Sequence, residues 1–330
     1  MTFHKVVIGF LACSALALVM GALRFPPGGV AQSPHAVLLV PDQGGFETAS
    51  GAVAMVRQAK REGFSPLTVS SLTHTFSQLD YDLDQLRDGD GVVPRLFVAS
   101  MPSDMRAIRM AEKRKVVFFK TVLPLVLRVN AEIAAERRRL VRIRADVKAG
   151  KSLPADDRLW IAAMAERYDV ARSDLKALAK RMDVVPPSLA LAQAAEESGW
   201  GTSRFVREGN ALFGQWTFAR GRHLIPEERD DDKSHRVRVF THLIDAVRAY
   251  VMNLNTHRAY RRFRDKRQAI RNEGDSLTGL ALASTLTNYS ERGAKYVLTI
   301  RDIIQSNRLQ ALDTAQLGDE MVETASKPAI

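Results

Sequence analysis

The stretch Ala194-Ala-Glu-Glu-Ser-Gly-Trp-Gly-Thr-Ser-Arg-Phe205 sets two adjacent glutamates directly before Ser-Gly-Trp-Gly. The residues from Leu189 to Ser198 predict a helix rich in small side chains, against which other helices can pack closely. Gly199 is a natural end for this helix, because glycine readily adopts the left-handed conformation found there. A glutamate in the last turn therefore lies at the negative end of the helix dipole, which is normally unfavourable for an acid.

A carboxyl group in this position can serve as a general acid. Desolvation by the neighbouring Trp200 would make it hold its proton more tightly. A raised pKa is what an acid needs to protonate a leaving oxygen near neutral pH, as in lysozyme. Helical geometry does not choose between Glu196 and Glu197, since each shares a face with small or apolar residues of the same helix.

The composition limits the class of protein. The chain has 330 residues, a formal net charge of +11 and 46% hydrophobic residues. It is long enough for one large domain or two modest ones. A basic surface favours polyanionic partners. Cys13 is the single cysteine, so the sequence offers neither a disulfide nor a cysteine-based metal site.

The N-terminus predicts export. The run from Val6 to Leu23 is apolar and uncharged, with Lys5 before it and Arg24 after it. This pattern is typical of a secretory signal or an uncleaved membrane anchor. We expect a protein of the periplasm or cell envelope, held at the inner-membrane surface if the segment is retained. Nucleic acid is then not an expected partner. The sequence does not indicate the oligomeric state.

Patterning divides the chain into four parts: a signal or anchor over 1–25, a weakly structured lead-in over 26–92, a mainly helical domain over 93–312 and a flexible tail over 313–330. The irregular character continues to about residue 111, and Ser103-Asp104 can begin the first helix. Predicted helices cover 116–126, 130–147, 156–168, 173–182, 189–198, 243–254, 277–286 and 296–304. Alternation between Gly221 and Phe240 predicts one long β-hairpin.

Several stretches resemble one family. Residues 191–205 and Gly209-Asn-Ala-Leu-Phe-Gly-Gln-Trp216 resemble the Bax-type glucosaminidases and, more distantly, flagellar peptidoglycan hydrolases and Gram-positive autolysins with an endo-β-N-acetylglucosaminidase domain. Asn253-Leu-Asn-Thr-His-Arg-Ala-Tyr260, Tyr289-Ser-Glu-Arg-Gly293 with Tyr296, and residues 115–127 are also similar. The resemblance spans about residues 93–312, and its motifs occur in the same order.

The resemblance implies a lysozyme-like α fold and an enzyme that cleaves the β-1,4 bond between N-acetylglucosamine and N-acetylmuramic acid in peptidoglycan. It implies that Glu197, directly before Ser-Gly-Trp-Gly, is the catalytic acid. It also implies that Tyr289 supports the reaction near the N-acetyl group. Peptidoglycan glycan strands are the implied partner.

Aromatic and amide side chains near these motifs suit a sugar-binding cleft, because they stack on pyranose rings and bind hydroxyl groups. The candidates for substrate binding are Gln193, Trp200, Asn210, Phe213, Gln215, Trp216 and Tyr296. For Phe213, packing in the core is an equal alternative. For His257, a structural hydrogen bond is favoured over catalysis.

A second carboxylate is harder to choose. Glycosidases usually place a base or nucleophile opposite the acid. Five acids lie in the loop of the predicted hairpin: Glu227, Glu228, Asp230, Asp231 and Asp232. No spacing selects one of them, and such a run is usually solvated; we choose Glu228. A reaction assisted by the substrate's acetamido group would not need it, so retention and inversion both stay open.

We expect no metal and no cofactor, because the histidines are scattered and no phosphate-binding loop occurs. Two other functions stay open. A lytic transglycosylase would use the same acid but leave anhydro-muramic ends. A non-catalytic wall-binding or scaffold protein would keep the cleft without turnover.

Overall fold

A computed structural model describes residues 67–217, 223–224 and 236–321. The predicted signal or anchor, Glu228 and most of the hairpin loop lie outside these ranges. The helices and strands, in chain order, are α1 (Val69–Gln78), α2 (Leu83–Asp88), β1 (Val93–Arg95), α3 (Ala111–Lys148), α4 (Ala155–Arg167), α5 (Leu175–Arg181), α6 (Pro187–Ser198), α7 (Arg204–Gly209), β2 (Trp216–Thr217), β3 (His223–Leu224), β4 (Arg236–Arg238), α8 (Leu243–Thr256), α9 (Arg261–Glu273), α10 (Gly279–Ala283), α11 (Ala294–Ser306) and β5 (Leu317–Met321).

Helix α6 lies at the centre of the fold and carries the two glutamates near its end. Its residues from 187 to 195 are all buried. It packs against α3, α10, α11 and the 3-10 turn Leu309–Thr314. The alanines of α6 make this possible, because small side chains let several helices approach one axis. The helix begins with a proline at its first position, where the missing N–H is not needed.

The N-terminus of α6 is closed by a residue from the far end of the chain. Asp313 accepts hydrogen bonds from the Ser188 N–H and the Ser188 hydroxyl, both at 2.8 Å. It also accepts one from the Gly279 N–H at 3.0 Å. A carboxylate is favourable at this positive helix end. Ser188, whose place before the predicted start at Leu189 would suggest it as the cap, lies inside the helix, and Asp313 has the capping role.

Helix α3 corrects two predictions. It runs unbroken over 38 residues, where two shorter helices were predicted. Pro124 lies inside it and is buried, so packing on both sides offsets the hydrogen bond that proline removes. Asp104, predicted to begin the helix, instead accepts from the Val69 N–H at 2.8 Å. The helix begins at Ala111.

The prediction of weak structure before residue 111 is wrong for the part from residue 67 onward. Helix α1 begins with a capping box between Thr68 and Ser71. Its residues Val69, Leu72 and Phe76 are buried in the main core. The lead-in between 67 and 92 therefore belongs to the folded unit.

The predicted boundaries of 93–312 and the tail of 313–330 are also corrected. Strand β5 pairs in parallel with β1, so residues up to 321 belong to the folded unit. A second sheet has the order β2-β4-β3 with antiparallel pairs. Its β3–β4 pair is the predicted hairpin. The predicted fold class, mainly α with one hairpin, is confirmed.

A buried arginine joins α9 to the end of α5 and to the loop that follows α5. Arg267 of α9 is 1% exposed. It donates to the main-chain carbonyls of Lys180, Arg181, Asp183 and Val184, at 3.0 to 3.3 Å. The Asp183 carboxylate lies 3.8 Å from its Nε. Arginine suits this position because its planar guanidinium offers several donors in a fixed geometry.

Within the described ranges, no helix has the length and apolar character needed to cross a membrane.

Candidate active site

Glu197 and Glu196 face different surroundings at the end of α6. Gly199 ends the helix in the left-handed conformation, as predicted. The Glu196 side chain is paired with Arg292. The Glu197 carboxyl turns inward and accepts a hydrogen bond from the Tyr296 hydroxyl at 2.8 Å. The structure therefore separates two residues that helical geometry left equivalent.

A chain of buried hydrogen bonds fixes the Glu197 carboxyl. The Tyr250 hydroxyl donates to Gln193 Oε1 at 2.7 Å. Gln193 Nε2 donates to the Tyr296 hydroxyl oxygen at 2.9 Å. The single proton of Tyr296 is therefore directed to Glu197 Oε1. The proton of the carboxylic acid then belongs on Oε2, the oxygen that lies toward Gly214.

The surroundings of Glu197 favour its protonated form. Burial raises the pKa of Glu197, and the charge of Glu196 raises it further. The hydrogen bond from Tyr296 and the charge of Arg292 oppose these effects without cancelling them. A carboxyl with a raised pKa can hold a proton near neutral pH and release it to a bound group.

Four tyrosines gather around this carboxyl. The pKa values of Tyr250, Tyr260, Tyr289 and Tyr296 are raised chiefly by burial and also by the negative charge of Glu197. Their hydroxyls are therefore protonated at neutral pH and can act as hydrogen-bond donors.

Three of these tyrosines and one histidine form a row of rings. Tyr296 and Tyr289 stack with centroids 5.4 Å apart and planes within 8°. Tyr289 meets Tyr260 at 5.9 Å, and Tyr260 meets His257 at 5.8 Å. Tyr289 is only partly buried, in contrast to Tyr296 and Tyr260. The row is an aromatic wall that begins at the acid, and Tyr289 is its accessible member next to Tyr296.

Three predicted substrate contacts lie in the protein interior instead. Gln193 is fully buried, and its side-chain amide is hydrogen-bonded to Tyr250 and Tyr296. Asn210 Nδ2 donates to the carbonyls of Phe240 and Thr241. Phe213 is 3% exposed and stacks flat on Tyr250 at 3.9 Å. These three side chains support the site from behind, and their contact with substrate stays a prediction.

Tyr296 is also fully buried, whereas Trp200 and Gln215 are only partly buried. Trp200 is partly buried and packs edge-to-face on Phe118 and Phe119 of α3. Gln215 follows Gly214, where an added Cβ would be 3.7 Å from Glu197 Oε2. The Gln215 Oε1 atom is buried and has no hydrogen-bond partner in the described part of the chain. Trp216 lies in strand β2.

The predicted second carboxylate, Glu228, is outside the described residues. Among the described residues, Glu196 is the one other carboxylate whose charge acts on Glu197. Glu196 is itself ion-paired with Arg292. The described residues also contain no group of three His, Cys, Asp or Glu side chains able to hold a metal ion. His257 has the predicted structural hydrogen bond, since its Nδ1 accepts from the Ala259 N–H at 3.3 Å.

The sequence reasoning missed Tyr250 and Arg292 as parts of the site and Asp313 as the cap of the helix that carries it. Tyr260 stood in a stretch that resembles the family, so it carried a usable signal. Arg292 stood between Tyr289 and Tyr296 and could have been noted as a charge near the acid. Tyr250 and Asp313 gave no local signal, because their partners are 57 and 125 residues away.

Comparisons with known proteins identify the family of the chain. The family profile described as mannosyl-glycoprotein endo-beta-N-acetylglucosaminidase matches residues 172–309. Protein bax of Escherichia coli strain K12 is 34% identical over 216 residues, which cover 64% of this chain and 75% of that protein.

Two solved structures are similar as well. The catalytic domain of the autolysin Auto from Listeria monocytogenes is 20% identical, with a TM-score of 0.31, over 51% of this chain and 94% of that domain. The glycoside hydrolase domain of FlgJ from Salmonella typhimurium is 21% identical, with a TM-score of 0.27, over 47% of this chain and 89% of that domain.

The matches show a glycoside hydrolase. The chain belongs to the glucosaminidase family and is a homologue of bax.

Proposed function

We propose that the chain is an exported peptidoglycan hydrolase that cleaves the β-1,4 bond between N-acetylglucosamine and N-acetylmuramic acid, with Glu197 as general acid. The observation that carries this proposal is the partly buried Glu197 carboxyl with a raised pKa, one oxygen held by Tyr296 and the other directed toward Gly214. The matching family is described as an endo-β-N-acetylglucosaminidase. This description supports N-acetylglucosamine as the sugar whose glycosidic bond is cleaved.

The geometry suggests how the proton moves. Glu197 Oε2 gives its proton to the glycosidic oxygen as the bond from the N-acetylglucosamine anomeric carbon breaks. The hydrogen bond from Tyr296 to Oε1 then stabilises the carboxylate that forms. Water supplies hydroxide to the anomeric carbon and a proton to the base. The product is a new reducing end on N-acetylglucosamine.

The aromatic wall supplies a surface for the sugar next to the acid. Tyr289 is partly exposed and stacked on Tyr296, which supports a contact of its ring and protonated hydroxyl with the N-acetyl group. The unpartnered Gln215 Oε1 can accept a hydrogen bond from a substrate amide or hydroxyl. Glu228, or the acetamido group of the substrate, fills the role of base or nucleophile.

The proposal also includes the cell envelope as the place of action. The apolar segment between Lys5 and Arg24 supports export, with or without retention at the inner membrane. The net charge of +11 supports attraction to anionic wall polymers or headgroups. Sacculus binding that weakens with salt would support this role of charge, whereas binding independent of salt would contradict it.

The function is tested by mass spectrometry of purified peptidoglycan after digestion and borohydride reduction. The full chain is compared with Glu197→Gln, which keeps the shape of the side chain but cannot give a proton. Reduced N-acetylglucosamine ends with the wild type support the proposal. Loss of a general acid lowers the rate by about 10²–10⁴-fold.

A control separates loss of the acid from a general effect of the substitution. Glu166 on α4 is exposed, so Glu166→Gln makes the same chemical change on the surface. We expect it to retain full activity. Anhydro-muramic ends from the wild type would identify a transglycosylase with the same fold. If neither the wild type nor Glu197→Gln produced new ends but both bound sacculi, the wall-binding alternative would replace the hydrolase.

A further inference from the structure

The ion pair between Glu196 and Arg292 lies beside the acid but takes no part in the proton transfer described above. Arg292 lies between Tyr289 and Tyr296 in the chain. Its side chain pairs with Glu196 in the last turn of α6. Its guanidinium also lies over the Tyr296 ring, 5.3 Å from the centroid. The pair is only partly shielded, with side-chain exposures of 48% for Arg292 and 26% for Glu196.

We propose that Arg292 is a positioning residue of this hydrolase, which neutralises Glu196 beside the acid and holds the segment carrying Tyr289 and Tyr296 against α6. The inference rests on the proposed role of Glu197. The geometry favours it over a plain surface ion pair for two reasons. The carboxylate being neutralised is adjacent in sequence to the acid. The same guanidinium also contacts the tyrosine that donates to the acid.

Apart from the ion pair, the titratable groups of the described residues that act on Glu197 are four tyrosines. Helix α8 contributes Tyr250, the following turn contributes Tyr260, and the segment before α11 contributes Tyr289. Tyr296 comes from α11 itself. These four phenols are neutral at the pH of the reaction.

Arg292 and Glu196 are therefore the two charged side chains that act on Glu197 among the described residues. Their effects have opposite signs. The negative charge of Glu196 favours the protonated form of Glu197, and the positive charge of Arg292 favours the ionised form. With both present, the two contributions to the pKa of Glu197 oppose each other. Removal of either one leaves the other unbalanced next to the acid, so the two single variants should move the acid in opposite directions.

The test measures the pH profile of kcat/KM for sacculus hydrolysis by the full chain. In Arg292→Met, Glu196 is unbalanced, the acid holds its proton to higher pH, and the alkaline limb moves up. In Glu196→Gln, Arg292 is unbalanced and the alkaline limb moves down. The double variant brings the limb back toward its wild-type position. Arg292→Lys, which keeps the charge, preserves the position of the limb better than Arg292→Met.

Two measurements complete the design. Glu291→Gln removes a negative charge next to Arg292 in sequence, at an exposed residue whose charge does not act on Glu197, and it should leave the limb in place. NMR titration of labelled glutamate carboxyl carbons, with the Glu197 signal identified by its loss in Glu197→Gln, follows the acid without any turnover. It therefore tests the pair even if the proposed reaction is wrong.

Opposite displacements that cancel in the double variant are the expected result in both measurements. The proposal is overturned if the two single variants move the Glu197 titration in the same direction, or if neither moves it. A loss of rate without any displacement would mean that the pair only stabilises the fold.

Discussion

Gly279 offers a direct test of how closely α10 packs against the N-terminus of α6. A Cβ at this position would lie 2.2 Å from Ser188 Oγ and 2.7 Å from the Leu189 main-chain nitrogen. The second atom belongs to the backbone of the buried central helix, so it cannot move aside as the end of a long side chain can. We therefore predict that Gly279→Ala forces the two elements apart.

The size of the effect follows from two contributions. Overpacking of a well-packed core costs about 1–3 kcal/mol. Separation would also weaken the hydrogen bond from the Gly279 N–H to the Asp313 carboxylate, now 3.0 Å long. Hydrogen bonds to charged groups contribute about 1.5–3 kcal/mol. The expected loss in free energy of unfolding is about 3–5 kcal/mol, a large part of the roughly 5–15 kcal/mol typical of a folded domain.

Urea unfolding followed by tryptophan fluorescence measures this loss as a lower midpoint at unchanged slope. Gly274→Ala is the matched control. Gly274 has a φ of +77° with no atom near an added Cβ, so its substitution costs only the conformational strain, about 1–2 kcal/mol. If Gly279→Ala proved less costly than Gly274→Ala, the contact between α10 and α6 would not have the importance given to it here.

Three further variants test other parts of the structure. Because burial raises the pKa of Glu197, the stabilising contribution of its protonated form is fully present below the ordinary glutamate pKa and is lost as the pH rises through the folded-state value. Glu197→Gln should therefore raise the melting temperature at about pH 8 and leave it nearly unchanged at about pH 4; equal effects at both would contradict the raised pKa. Tyr296→Phe removes the donor to Glu197 and leaves Gln193 Nε2 buried without its acceptor, so it should lower both kcat/KM and, by about 1–3 kcal/mol, the free energy of unfolding. A variant as stable as the wild type in urea would exclude the hydrogen-bond chain. Arg267→Leu removes one charged partner of the buried Asp183 carboxylate and the hydrogen bonds to four main-chain carbonyls, and it should cost about 3–5 kcal/mol in urea unfolding. A loss below about 1 kcal/mol would show that the remaining partners of Asp183, Arg137 and Arg271, suffice.

The local features of the site could be predicted from the sequence because their causes are local. Small residues followed by Gly199 predict a closely packed helix with a left-handed end, and the structure has both. Alternation around residues 222–240 predicts a hairpin, and β3 and β4 pair as expected. Helix α1 also had a readable signal, since Thr68 and Ser71 precede apolar residues at helical spacing.

The separation of Glu196 from Glu197 could not be predicted from the helix alone. It depends on Arg292 and Tyr296, which come from a segment almost 100 residues further along the chain. The continuous α3 was missed for a related reason. The predicted break lay at 127–129, where Leu127 and Val129 are buried and the helix continues. In each case, tertiary contacts decide what local preference leaves open.

The cap on α6 also has a consequence for the order in which the protein can fold during synthesis. Asp313 follows Ser188 by 125 residues, and β5, the partner of β1, is made later still. At the usual rate of translation, roughly 5–20 residues per second, the central helix waits on the order of 6–25 s for its cap. Folding is therefore completed only when nearly the whole domain has left the ribosome. A chain truncated after residue 312 would lack both Asp313 and β5. The helix that carries Glu197 would then pack in an incomplete core.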